Sequence, residues 1–258
     1  MQTKNERLQH IKSHIERFYL TSNAKANIEK GIGNISACLL SLASNATAEA
    51  MDSWFEKQDL AATRGWFYVA GLLEHKRNMR GDQPIQPLPS ALGLLKPLIS
   101  NNESLIQSIV GFYETAFDAA RINELGTRDF LAYQFLLAIR GDWTKLGERA
   151  KDFIFNPPKG EFGKVYLIDF EFFLALSQAD SEKMESAVEQ LLSPEFVKKR
   201  YEDEGGFTQD LIVTSAVVYA KIASRHGYTL KIDSPYVPQE WMGNDVLAEY
   251  DAIYSFLR

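Results

Sequence analysis

An all-α protein of stacked αα-hairpins, with at most one short β segment, is the fold this sequence predicts, on three observations. Apolar residues recur at three- and four-residue steps along nearly the whole chain, the period of a helix with one buried face. Only residues 228–232 (YTLKI) alternate as a half-buried strand would. Residues 136–154 superpose on residues 174–192 at an offset of 38, which sets Asp142 on Asp180, Lys145 on Lys183 and Leu146 on Met184. Each copy reads as an apolar helix, a short turn with an aspartate cap, and an amphipathic helix, a unit suited to stacking in a repeat-like array.

In chain order, Leu8, Ile11, Ile15, Phe18 and Tyr19 form a first stripe. After a Ser22-Asn23 cap, Ile28, Ile32, Ile35, Leu39 and Leu42 form a second, within which Gly31 and Gly33 read as points of close packing. Trp54, Phe55 and Leu60 and the run at 66–73 (WFYVAGLL) predict two more helices, the latter deeply buried. Three of the nine prolines fall within residues 81–90, and proline removes donors and disfavours helix before it. That stretch therefore reads as a loop between an N-terminal half, 1–80, and a C-terminal half, 91–258. Stripes at Leu105–Phe117 and Phe130–Ile139 follow, then breaks at 156–160 (NPPKG) and at Gly205-Gly206, and a long apolar run at 210–224. After Gly227, Ser234, Pro235 and Pro238 hold the chain extended before a final helix that turns Leu247, Ile253 and Leu257 inward.

With 28 Lys+Arg against 34 Asp+Glu the net charge is -6, which argues against nucleic-acid binding through a cationic face. Residues 1–20 lack the apolar core of a signal peptide. The longest apolar runs, 35–43 and 211–223, fall short of a bilayer span. A single cysteine, Cys38, fits a reducing compartment. The expectation is a cytoplasmic protein without membrane contact.

Motifs for chemistry are missing. His10 and His14 lie one helical turn apart without the neighbouring glutamate of a zinc-protease helix. Cys38 sits on an apolar face, with no cation beside it to activate a thiolate. Neither a G-x-S-x-G elbow nor a phosphate loop occurs, and Gly31-Ile-Gly33 lies in a helical stripe. Asp169 and Glu171, between aromatic positions, and Glu202-Asp203-Glu204 are paired carboxylates that sequence alone does not place in one cleft. The reading is a non-enzyme with no metal, cofactor or catalytic residue. A helical scaffold or adaptor is the first alternative, a helical hydrolase using a carboxylate pair the second.

The C-terminal third carries a recognisable order. Ala216, Ala220 and Ala223 space a small-residue helix that stops at Gly227. Leu230 and Ile232 lie in a short extended stretch, followed by Ser234, Tyr236, Val237 and Pro238. This order resembles the immunity protein 49 family of bacterial polymorphic-toxin and type VI secretion systems, as does the hairpin with its acidic turn at Asp180. The resemblance implies a cytoplasmic antidote that binds a cognate protein toxin and blocks it by direct contact. Many such toxins are cationic nucleases, which an acidic partner would steer toward itself. Interface energy concentrates in aromatic anchors within a polar rim. Two acidic-aromatic segments fit that description: Tyr201, Glu202, Asp203 and Glu204 in a predicted loop, and Asp245, Glu249, Tyr250, Asp251 and Tyr254 on the predicted final helix.

Overall fold

In a computed structural model, residues 3–258 are described, and they contain helices and irregular segments but no strand. Thr3 and Glu6 form a reciprocal capping box at the start of α1 (Lys4–Ile15). α2 (Phe18–Lys30) ends at Gly31, and Asn34 caps α3 (Ile35–Phe55). Gly31 and Gly33 both have positive φ, so they end one helix and precede the next instead of lying inside a continuous stripe, a correction to the sequence reading. Asp59 caps α4 (Leu60–Met79), which pairs with α3 as a long antiparallel hairpin. Residues 81–86 are irregular, but Pro87 opens α5 (Pro87–Gly93), since a missing N–H costs nothing in a first turn. α6 (Leu95–Ser100) and α7 (Glu103–Ala116) follow.

The two copies of the internal echo are α8 (Arg128–Arg140) with α9 (Trp143–Phe155), and α11 (Leu167–Ser177) with α12 (Ser181–Leu191), separated by the short α10 (Glu161–Val165). Asp142 and Asp180 cap the second helix of each, accepting from the N–H groups of Lys145 and Lys183. Phe135 and Phe173, equivalent by the offset of 38, meet edge to face at 5.3 Å, and both pack on Tyr219. After α13 (Pro194–Lys199) the chain turns into α14 (Thr214–Arg225), whose residues from Ala216 to Ala223 are all buried. The apolar run at 210–224 thus begins with turns: Asp210 has φ 64°, which no helix accommodates.

Residues 228–232 have no regular secondary structure and pair with no strand; the Lys231 N–H donates to the Glu185 carboxylate instead (2.7 Å). The predicted final helix is also absent: residues 243–254 run irregularly over the surface before a single 3-10 turn at Ser255–Leu257. The main hydrophobic cluster reaches from Leu8 to Trp241 and so draws on both sides of the 81–86 segment. A smaller one joins α2, α3 and α4 around Leu39, Leu42, Val69 and Leu73. No helix among the described residues is long and apolar enough to cross a membrane.

Candidate functional site

The chain between α13 and α14 is ordered by its own charges. Tyr201–Asp203 is a 3-10 turn, not the loose loop the sequence suggested. Just before it, Arg200 turns inward and grips the Asp169 carboxylate of α11 with both terminal nitrogens, while Nη2 also donates to Val165 O (2.9 Å). The Tyr219 hydroxyl donates to the same carboxylate. Burial works against the charge on Arg200, but Asp169 beside it prevails and holds the guanidinium more firmly protonated than usual. Tyr219, entombed next to that carboxylate, has its pKa pushed far up.

Asp203 and Glu204 face inward as well. Asp203 accepts from the Tyr166 hydroxyl (3.1 Å), and burial raises its pKa despite Arg200 nearby. Tyr166, desolvated beside Asp203, is pushed up to about 12. Glu204 accepts from the Thr214 N–H (2.7 Å), from the Thr214 hydroxyl and from the Thr208 hydroxyl (2.9 Å). It caps α14 from ten residues away, where Val213 has no side chain for the task. Burial lifts its pKa even so. Of the four predicted residues in this segment, Tyr201 and Glu202 are exposed.

Asp210 closes the arrangement. It accepts from Arg7 Nη2 (3.1 Å), and Arg7 also donates to Gly206 O and Gln209 Oε1, so α1 is tied to this segment. Between α13, the 3-10 turn and residues 209–213 lies a cavity of about 200 Å³. Leu192, Val197 and Ile212 supply apolar wall, Asp203, Glu204 and Asp210 supply carboxylates, Arg200 supplies a guanidinium, and Tyr201 and Tyr236, each 39% exposed, also line it.

The second predicted segment belongs to an irregular strap. Arg64, Asn101 and Lys221 all donate to Gly243 O, at 3.0, 2.9 and 2.7 Å. Lys221, wholly buried, also meets Met242 O and Asn244 Oδ1, and desolvation next to Arg64 and Arg225 lowers its pKa to about 7. These side-chain donors take carbonyls that a helix would have used internally, the physical reason that the predicted helix does not form. Tyr250 packs on Tyr68 and donates to Ser100 O (2.6 Å), and Tyr254 stacks half-buried on Phe256. Asp245, Glu249 and Asp251 are exposed. Ile253 faces outward, contrary to expectation, whereas Leu247 and Leu257 are partly covered.

The two segments meet opposite ends of α14, Glu204 at Thr214 and Asn244 at Ser224. At 1.5 Å per residue those points are about 15 Å apart along the axis. Asp169 is buried and Glu171 exposed on the same helix, so they share no cleft. His10 and His14 both lie against the ring of Phe207. Among the described residues no three His, Cys, Asp or Glu side chains are grouped to hold a metal ion. Sequence reasoning passed over Arg200, Asp210 and Lys221. A cation one residue ahead of an acidic run was a signal for Arg200, whereas Lys221 in an apolar helix was readable only as a broken stripe.

No curated protein and no solved structure matches the chain. A model of the immunity protein 49 family does, over residues 101–241. That match begins well ahead of the C-terminal third and ends at buried Trp241, leaving the strap outside it. It takes in both hairpins, the carboxylate cluster and α14, more than half of the 258 residues, and the chain belongs to the immunity protein 49 family.

Proposed function

We propose that this protein is an antidote that binds a cognate antibacterial toxin and neutralises it by direct contact, without catalysis of its own. Membership of the family supports an immunity role, and through it a toxin as partner. The toxin is a cationic protein acting in the cytoplasm, such as a nuclease, and the segment around Tyr201 and Glu202 meets it. One observation carries the choice of segment: an exposed tyrosine lines an apolar cavity and an exposed carboxylate follows it in the chain, above a scaffold of buried ion pairs that keeps the surface pre-organised. Rigid aromatic anchors with a charged rim give binding energy and fast association. The exposed carboxylates of the strap, Asp245, Glu249 and Asp251, extend the acidic character to a second face. Co-expression with the toxin encoded next to the gene, in a sensitive host, tests the reading. Survival of cells producing both proteins is the expected result, and death with both proteins present rejects it.

A further inference from the structure

The cavity beside Tyr201 lies over an imbalance of charge. Four carboxylates, those of Asp169, Asp203, Glu204 and Asp210, are gathered around two guanidiniums, Arg7 and Arg200. Arg200 is committed to Asp169 and Val165 O, and Arg128, though exposed, attracts Asp203 only from a distance. Exposed Glu202 adds to the negative side. A second observation is independent of that count. The Asp210 side chain is only 4% exposed, and its Oδ1 is buried with no hydrogen-bond partner among the described residues, although Oδ2 receives Arg7. A buried carboxylate oxygen without a donor is a cost to the free protein that a ligand N–H removes once the side chain turns toward the cavity, although Arg7 Nε and Arg200 Nε of the same cluster are buried without acceptors among the described residues.

Resting on the toxin-binding reading, we infer that this cavity is the anchor subsite for one arginine side chain of the partner protein. About 200 Å³ admits a single long side chain and excludes a helix or strand. Leu192, Val197 and Ile212 match the methylenes of such a chain, while Asp210 and Asp203 match its donors. Arginine suits the site better than lysine, because its planar fork serves two acceptors at once and stacks on tyrosine rings such as Tyr201 and Tyr236. Burial raises the pKa values of Asp203 and Glu204, and an entering cation would oppose that shift.

The test is a titration of the 15N-labelled full chain, read by backbone amide shifts, with N-acetyl-arginine amide and with its lysine and citrulline counterparts. Saturable shifts confined to residues 192–213 and Tyr236 are expected with arginine, with binding about tenfold weaker for lysine and weaker still for uncharged citrulline. Asp210→Asn, which tolerates the left-handed backbone, weakens arginine binding about tenfold. Val197→Trp fills the cavity from a half-buried position, abolishes the shifts and carries the test if the Asp210 variant does not fold. Equal responses to arginine and citrulline, or no saturable shift at tens of millimolar, overturn the assignment. Co-expression separates the two ideas: a wild-type chain that protects but ignores arginine loses only the subsite, whereas one that fails to protect loses the toxin-binding reading itself.

Discussion

Asp169 and Arg200 are both buried, and an ion pair taken out of water gains little net stability over an apolar replacement of the same volume. Removing one partner is another matter. Asp169→Asn keeps the shape but leaves the Arg200 guanidinium buried without its counter-charge and changes what the Tyr219 hydroxyl meets. A loss of about 3–5 kcal/mol is expected from urea unfolding, and a loss under about 1 kcal/mol would show the pair to be ornamental. Lys221 makes a prediction about pH. Its pKa falls from the ordinary 10.5 to about 7 on folding, so between those values the unfolded chain binds more protons than the folded one. Stability contributed by this residue therefore rises with pH from about 7 toward 10, and Lys221→Met removes the rise. His14, His75 and His226, lowered from 6.5, act below that window, and the buried tyrosines, raised from 10.0, act above it. Unfolding at several pH values, wild type against variant, separates the lysine from the rest; parallel curves would refute the assignment.

The equivalence of the two hairpins extends to single hydrogen bonds. After α8, Gly141 donates to Ala138 O and Asp142 to Leu137 O; after α11, Ala179 donates to Leu176 O and Asp180 to Ala175 O. Gly141 and Ala179 hold the same left-handed position, at φ 74° and 58°. The first is free of strain there, and the second carries a Cβ where glycine is strongly preferred. Ala179→Gly is expected to stabilise the protein by about 1 kcal/mol, seen as a rise in melting temperature; a fall would mean that the entropy added to the unfolded chain prevails. The hairpins were readable in the sequence because their caps and turns act within four residues. The strap was not readable, because what sets its backbone comes from Arg64, Asn101 and Lys221, remote in sequence.

Among the described residues, exposed carboxylates stand near both ends of α14, Glu202 at one and Asp245, Glu249 and Asp251 at the other, and one cavity has exposed tyrosines at its lining. If the Tyr201 end meets the toxin, Tyr201→Ala costs about 2 kcal/mol of affinity or more, as anchors do. Glu202→Lys, at the rim, acts mainly on the association rate, slowing it about tenfold at low salt with the difference fading as salt rises. Stopped-flow association with the purified toxin checks both. Unchanged affinity in both variants would move the interface elsewhere, with the strap next to be tested through Asp245, Glu249 and Asp251.

Most helices, the aspartate caps of the repeated hairpin and the family resemblance were legible from residue order, because a helix and its cap are settled by neighbours one turn away. The expected Ser22-Asn23 cap, by contrast, lies inside α2, and the expected final helix does not form. Which acidic residues face solvent was not legible. Tyr201 to Glu204 read as one uniform segment, yet Asp203 and Glu204 are drawn inward by Tyr166, Thr208 and Thr214 while Glu202 stays in water. That division, the cavity and the burial of Lys221 arise only when distant elements pack, since a charge's surroundings are made by groups that chain proximity does not supply.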